Sequence, residues 1–556
     1  MIPAKERWWE GRQPTDVIET LSQLPNDEIL TPPAVARRIL AMLPDGIWSD
    51  PFLTWCDPFC KSGIFLREVY SRLMGSLSLW EQDPVKRREH ILKNMLFASS
   101  ITELLGSVTR RTLYQSFNAT GSSIVDPDAR ELVVTFEDER GNVWYERGEH
   151  IFKRGSSTCA LCGGHKKAID AERENFAYPF LHNPLPFGGK EMKFDIIVGN
   201  PPYQIGMKDE KGERTKNITP LYNRFIEKAI VMNPKYLLMV TPSRWFTAGK
   251  DLGSFREKML GDRRLAKIVD FPNGREIFPT VEVKGGISFF LWDRDHNDDC
   301  EFTQISEGKI ISEDLRDLRD GEGVLVRDMA AKAIVVKVLS HDHCATRLSE
   351  IVSRQDPFGA ALKTNYAHSK DSPFSGSIPL VYRHKIGYVT PEQIPKNHKW
   401  IEDYKVLLPK ASDGKGAIEA LLVLGTPIAL APGSACTQSY LVAGTFKTAN
   451  EARNYAKFLT TKFVRFLVFQ RKTTQDLIPD RFRFVPAMPM DKEWTDKELF
   501  EEFGLDSNEI QYIEKTIADR DWNDSLDSAV PSSHLPGGSK YRQGPQAEEI
   551  EEDEDF

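Results

Sequence analysis

The chain has 556 residues, enough for two or three domains, and its 40% apolar and 28% charged fractions are those of an ordinary globular protein. No apolar run is long enough to cross a bilayer and no signal-peptide core opens the chain, so a cytoplasmic location with no membrane partner is expected. Seven cysteines with a single Cys-x-x-Cys pair exclude a disulfide framework. The net charge of −8 neither supports nor excludes a polyanionic partner, because the last nine residues, Glu548–Phe556, carry seven acids and no base. With the Pro/Ser/Gly-rich sequence before them they read as a disordered acidic tail over 531–556.

Thr15 to Leu43 has apolar positions at helical spacing. The interruption at Leu30-Thr31-Pro32-Pro33 fits a helix start with Thr31 as N-cap and Pro32 at the first position, leading into Ala34–Met42. Phe52–Cys56 reads as a strand. It runs into Asp57-Pro58-Phe59-Cys60-Lys61-Ser62-Gly63-Ile64-Phe65-Leu66, with a helix from Ile64 to Met74. A small-residue turn of this kind exposes backbone N–H groups and lets a ligand approach closely, although an ordinary strand-to-helix loop has the same pattern. Another strand is expected within Met95–Leu104.

Gly121 to Tyr145 alternates like a hairpin around Glu139-Arg140-Gly141-Asn142. Next come His150 and Cys159-Ala160-Leu161-Cys162-Gly163-Gly164-His165. The Cys-x-x-Cys-Gly-Gly turn is half of a zinc ribbon, because it lets two thiolates meet one ion. A tetrahedral structural Zn2+ needs two more ligands. His150 and His182 are the best placed, with His165 as substitute, which gives a zinc-binding insertion over about 121–182. The competing reading is a pair of reduced cysteines in a loop.

Phe194-Asp195-Ile196-Ile197-Val198-Gly199 reads as a buried parallel strand that runs straight into Asn200-Pro201-Pro202-Tyr203. Two prolines fix the turn and hold an amide and an aromatic ring at the carboxyl end of a strand, where open α/β sheets bind ligands. The Asn200 oxygen and the Pro201 carbonyl suit an amino group on a planar ring. Tyr203 suits stacking on that ring, worth about 1–3 kcal/mol per base in nucleic-acid sites. The alternative is a turn that merely ends a strand, with Tyr203 in the core. Further strands are expected at Tyr236–Val240 and Leu265–Phe271, and Gly285–Trp292 closes the sheet.

Residues 297–329 are acidic and irregular and read as a linker. Short strands and basic or aromatic residues follow over 330–490. Asn450–Gln475 reads as a helix whose end carries Arg465, Arg471, Lys472, Thr473 and Thr474, residue types suited to phosphate contacts or to a solvated helix end. A C-terminal helical segment is expected over 491–530.

Thr31-Pro32-Pro33, then Asp57 to Phe65, then Asn200-Pro201-Pro202-Tyr203, in that order, resemble the adenine-N6 DNA methyltransferases of restriction–modification systems, in their gamma class. The resemblance covers roughly Asp27 to Asp293. It implies an α/β fold: a Rossmann-like, S-adenosyl-L-methionine-dependent methyltransferase core over 1–296, here with the zinc-ribbon-like insertion. A mixed α+β C-terminal target-recognition domain for double-stranded DNA would then occupy 330–490. Thr31, Pro32, Asp57, Pro58, Lys61, Ser62, Gly63, Phe65 and Asn200 would bind the cofactor. Asn200, Pro201, Pro202 and Tyr203 would hold a flipped adenine, with Phe278 on its second face. The sequence departs from the family at Lys61, where a glycine is usual. It departs again near Ser100, where an acid normally binds the ribose, and Glu103 is the candidate in its place. A separate restriction endonuclease or helicase subunit is an expected partner in modification or phage defence. Two other readings compete: an RNA or protein-glutamine methyltransferase, and a catalytically silent sensing subunit.

Overall fold

The structure, a computed structural model, describes residues 30–526 except 123–132, 147, 167–176, 209–213, 248–250, 280, 282, 284, 320–321, 365, 367–368, 383–384, 412–420, 473–475, 523 and 525. The stretch before Leu30, the tail 531–556, Thr473 and Thr474 lie outside the described residues. The chain divides into two compact units between Gly323 and Val324. Among the described residues no helix is long and apolar enough to cross a membrane.

The strands of the first unit are β1 (Trp55–Cys60), β2 (Leu96–Ser100), β3 (Val143–Trp144), β4 (Ile196–Gly199), β5 (Gln204–Lys208), β6 (Arg214–Pro220), β7 (Tyr236–Pro242), β8 (Leu265–Phe271), β9 (Ile287–Asp293), β10 (Cys300–Ser306) and β11 (Lys309–Arg316). Nine of them form one sheet in the order β11-β10-β8-β9-β7-β4-β1-β2-β3, and β5 and β6 pair as a separate hairpin. β1 lies parallel to both β2 and β4, and β7 lies parallel to β4. β9 runs antiparallel between β7 and β8. The chain leaves β1 toward β2 on one side and leaves β4 toward β7 on the other. The carboxyl ends of β1 and β4 therefore frame a topological switch point.

Both faces of this sheet are covered, which is why β1, β2, β4 and β7 are buried along their whole length. On one face Ile39, Leu66, Val69 and Leu73, from the helices Pro33–Leu40 and Ile64–Ser76, share a core with Ile196, Val198, Leu238 and Val240. On the other, Phe59 meets Phe180 and Phe225 edge to face at 6.0 and 5.3 Å.

Several expectations are corrected. The first strand begins at Trp55, not Phe52, and takes in Asp57 and Pro58. Its register with β2 breaks between Asp57 and Cys60, the stretch where Pro58 cannot donate to a ladder. Pro33, not Pro32, opens the first helix, and Pro32 caps it with no side-chain hydrogen bond, which frees Thr31 for another partner. The expected hairpin over 121–145 is not formed by its described residues. Val143–Trp144 instead pairs parallel with β2, while Phe136 packs its ring on Tyr114 at 4.7 Å. Residues 297–329 are not a linker either: β10 pairs parallel with β8, and β11 pairs antiparallel with β10. Glu313 and Asp314 lie on the exposed edge strand β11, while Phe302 and Arg316 are buried, with the guanidinium 3.9 Å over the ring.

The second unit carries two three-stranded sheets and the helices Met329–Leu339, Ala449–Thr460, Lys462–Arg471, Asp496–Glu502 and Ser507–Thr516. Trp494, Leu499, Phe500, Ile513 and Ile517 join Val335, Leu441 and Phe466 in one core, so the described residues of the expected 491–530 segment are continuous with the body before it. The single helix expected over Asn450–Gln475 is two, broken at Thr461, which ends the first and caps the second by accepting from the Val464 N–H at 3.3 Å.

Candidate active site and the cysteine–histidine knuckle

At the end of β1 the backbone turns sharply at Gly63, whose φ of +77° caps the helix Ile64–Ser76. A Cβ there would stand 3.1 Å from Thr109 Cγ2 and 3.3 Å from Thr109 Cα, so only glycine fits both the dihedral and the space. Two threonines on the helix Glu103–Tyr114 hold the turn: Thr109 donates to the Lys61 carbonyl at 3.2 Å and Thr112 to the Ser62 carbonyl at 3.0 Å. With these carbonyls bound on one side, the loop keeps its other side for a ligand. The Ser62 hydroxyl is buried there and makes no hydrogen bond among the described residues. Asp57 and Lys61 are also buried. Burial pushes the Asp57 carboxyl up to about 7, against the opposing pull of the Phe59 N–H, Cys60 and the Lys61 charge.

Asn200 follows β4 and is 4% exposed, and its Nδ2 donates to Thr31 Oγ1 at 3.2 Å. That bond makes Nδ2 the donor toward Thr31 and turns Oδ1, the acceptor of the amide, away from it. Gly199 lets the two motif loops touch, since a Cβ would lie 2.2 Å from Phe59 Cε2 and 2.9 Å from Asp57 Oδ1. The Tyr203 ring packs against the sheet core and meets Tyr222 edge to face at 6.5 Å. Burial raises the Tyr203 phenol well above its ordinary pKa, and the Asn200 amide beside it opposes the shift. Thr31, Asp57, Lys61, Gly63 and Asn200 thus come together although they span most of the first unit's sequence.

Phe65 and Phe278 sit in the same apolar core, each 2% exposed. Glu103 is exposed at the first position of its helix, where an acid favours the dipole. Ser100 is buried and donates to the Trp144 carbonyl at 3.1 Å. Sequence reasoning missed Thr109 and Thr112, whose only sequence signal is their spacing on one helix face.

His150, Cys159, Cys162 and His182 bring one ligand atom each to within 4.8 Å of one another. Cys159 Sγ is 3.6 Å from His182 Nε2, and Cys162 Sγ is 3.5 Å from His150 Nδ1. His182 Nδ1 donates to the Tyr178 carbonyl at 3.0 Å, which leaves Nε2 as the lone-pair nitrogen. Burial lowers the His182 pKa to about 4, so the ring is neutral at neutral pH. The Leu161 and Gly164 N–H groups donate to the two sulfurs at 3.4 and 3.3 Å. His165 lies outside this cluster.

The cations expected at a phosphate surface are inside the second unit. Arg465, Arg471 and Lys472 are 1%, 2% and 2% exposed. Arg465 donates to the Thr460 carbonyl, Arg471 to Asp480, and Lys472 Nζ to the Val423 carbonyl at 2.7 Å. A groove of about 850 Å³ in the first unit, lined by Lys258, Arg263, Arg264 and Arg294 among others, opens where β8 begins and β9 ends. That is the end of the sheet opposite Asn200.

Residues 94–278 match the Eco57I restriction-modification methylase family. An uncharacterized adenine-specific methylase of Mycoplasma pneumoniae is 31% identical over 306 residues, which cover 52% of this chain and 72% of that protein. The chain belongs to the Eco57I restriction-modification methylases, enzymes of the adenine-specific DNA methyltransferase class. Among solved structures it resembles a modification subunit of a type I restriction enzyme from Vibrio vulnificus, with 15% identity, a TM-score of 0.30 and coverage of 51% of this chain and 48% of that one. It also resembles a nuclease-deletion mutant of the type ISP restriction-modification enzyme LlaGI bound to a DNA substrate mimic, with 13% identity, a TM-score of 0.43 and coverage of 87% and 46%. The chain spans about half the length of these two structures.

Proposed function

We propose that this protein transfers the methyl group of S-adenosyl-L-methionine to adenine N6 in double-stranded DNA, as the modification activity of a restriction–modification or phage-defence system in the cytoplasm. The observation that carries this reading is the Asn200 amide, held by Thr31 at the switch point beside the β1 loop. The cofactor fits the residues present: a glycine-turned loop with buried Asp57, Lys61 and Ser62, of which the Ser62 hydroxyl awaits a partner. Thr31 to Pro32, Asp57 to Gly63 and Glu103 would hold it. When bound, it supplies a methyl group made electrophilic by the neighbouring sulfonium.

The chain's own task is alignment. Asn200 Oδ1 and the Pro201 carbonyl accept from the two N–H bonds of the amine and turn its lone pair toward the methyl carbon. The amine would become positively charged on taking up the methyl group, and the same two acceptors would stabilise that charge. Its proton then leaves to solvent, so no acidic base is needed beforehand. Tyr203, and Phe278 at the second face, would clasp a base turned out of the duplex. The second unit would read the DNA sequence, with a separate endonuclease or helicase subunit as partner. Zn2+ would sit among His150, Cys159, Cys162 and His182. Zn–S of about 2.3 Å and Zn–N of about 2.0–2.1 Å at tetrahedral angles place S and N about 3.5 Å apart, which the 3.5 and 3.6 Å separations here support.

Tritiated-methyl transfer to duplex DNA, RNA and protein, with Asn200→Ala beside the wild type, tests the reading. Label in DNA adenine that the variant loses while still binding cofactor is expected. Label only in RNA or protein, or an equally active variant, overturns it.

A further inference from the structure

We propose that the cysteine–histidine knuckle, loaded with zinc, braces the catalytic loop from outside the active site, with Arg224 as the positioning residue; this rests on the methyltransferase reading above. The knuckle has almost no core of its own. Across 151–166 only Cys159, Cys162 and Gly164 are buried, so its ligand side chains are what it is built around. A segment of that kind takes its fold from its metal, and four protein ligands leave the ion no open position for chemistry.

The brace reaches the base-binding motif through one guanidinium. Arg224 Nη1 donates to the carbonyls of Ala160 and Leu161, the two residues between the cysteines, at 3.2 and 2.7 Å. Gly163 lies flat against it, since a Cβ there would stand 3.3 Å from Arg224 Nη2 and 3.2 Å from Thr219 Cγ2. Arg224 is in the first turn of the helix Tyr222–Val231. Its own N–H donates to the Leu221 carbonyl, and the Leu221 N–H donates to the Tyr203 carbonyl at 3.0 Å. Three steps of hydrogen bonding therefore connect the knuckle to the last residue of Asn-Pro-Pro-Tyr.

A second arm reaches the cofactor loop. His182 ends the short helix Pro179–His182, whose Phe180 stacks on Phe225 at 6.1 Å and meets Phe59 edge to face at 6.0 Å. Phe59 is the ring that Gly199 lies against. The knuckle is thus attached to both loops that form the site and contributes no group to it.

The test uses the full-length protein. Elemental analysis should find one zinc per chain, lost in Cys159→Ser. Arg224→Ala should keep its zinc and bind cofactor within about twofold of wild type, yet lower kcat by about 10- to 100-fold, and Arg224→Lys should recover part of it. Hydrogen exchange over residues 199–225 should quicken in Arg224→Ala and in chelated wild type. Exchange needs no turnover, so it decides the brace even if the wild type proves inactive on DNA, a failure that would count against the functional reading alone. Unchanged exchange in Arg224→Ala, a wild-type-like kcat in that variant, or an active protein without zinc would overturn the inference.

Discussion

Replacing Thr31 by Val isolates the bond that orients the Asn200 amide. Valine keeps the shape of threonine and removes only the hydroxyl that accepts from Asn200 Nδ2 at 3.2 Å. Both residues are 4% exposed, so water cannot readily replace the lost acceptor. Depriving a buried donor of its partner costs about 1–3 kcal/mol. The amide can relieve that cost by rotating, but rotation points an N–H at the substrate amine where an acceptor is required. If the cost falls on the transition state, kcat drops by about 5- to 150-fold. Single-turnover methyl transfer on duplex DNA reads this directly, with cofactor affinity and Tm measured alongside. Thr31→Ser, which keeps the hydroxyl, should stay near wild type. A Thr31→Val enzyme that loses Tm but keeps kcat within twofold would refute the orienting role.

Three further outcomes follow from other parts of the molecule. Burial holds the Asp57 carboxyl near 7, above the value of about 3.9 in an unfolded chain. The folded protein therefore binds the extra proton between those values. The stability this gives is full below about pH 4 and is lost as pH rises through about 7. Asp57→Asn should remove the dependence, so wild-type stability should fall relative to the variant across that window, and a constant difference in urea unfolding would contradict the assignment. Gly63→Ala, at φ +77° with its Cβ 3.1 Å from Thr109 Cγ2, should lose about 1–3 kcal/mol, which an unchanged urea midpoint would contradict. Lys472→Met should lower stability by about 1–3 kcal/mol by leaving the Val423 carbonyl without this donor. It should leave the salt dependence of DNA binding unchanged, and a shallower slope would return Lys472 to the DNA surface.

What was legible in the sequence was local. Ile196–Gly199 reads as a buried parallel strand because its β-branched run has no polar face, and Pro201-Pro202 marks where it must stop. Cys159 and Cys162 announce their shared turn by spacing alone. What escaped depends on partners far along the chain. Thr31 looked like a helix cap, yet its hydroxyl serves Asn200, 169 residues away. Arg465 and Lys472 looked solvated because they end a helix, yet inside the unit they reach the distant carbonyls of Leu422 and Val423, which the sequence does not mark. The stretch of β11 resembled a linker because its apolar residues Ile310, Ile311 and Leu315 are exposed on an edge strand and follow no strict alternation. Nothing in the sequence marks Arg224.

The central claim is tested most directly by expressing the protein in a host without adenine methylation and mapping N6-methyladenine across that genome by single-molecule sequencing. The account predicts methylated adenine confined to one sequence motif and absent when Asn200→Ala is expressed instead. A genome without N6-methyladenine, or one methylated equally by the variant, would contradict it.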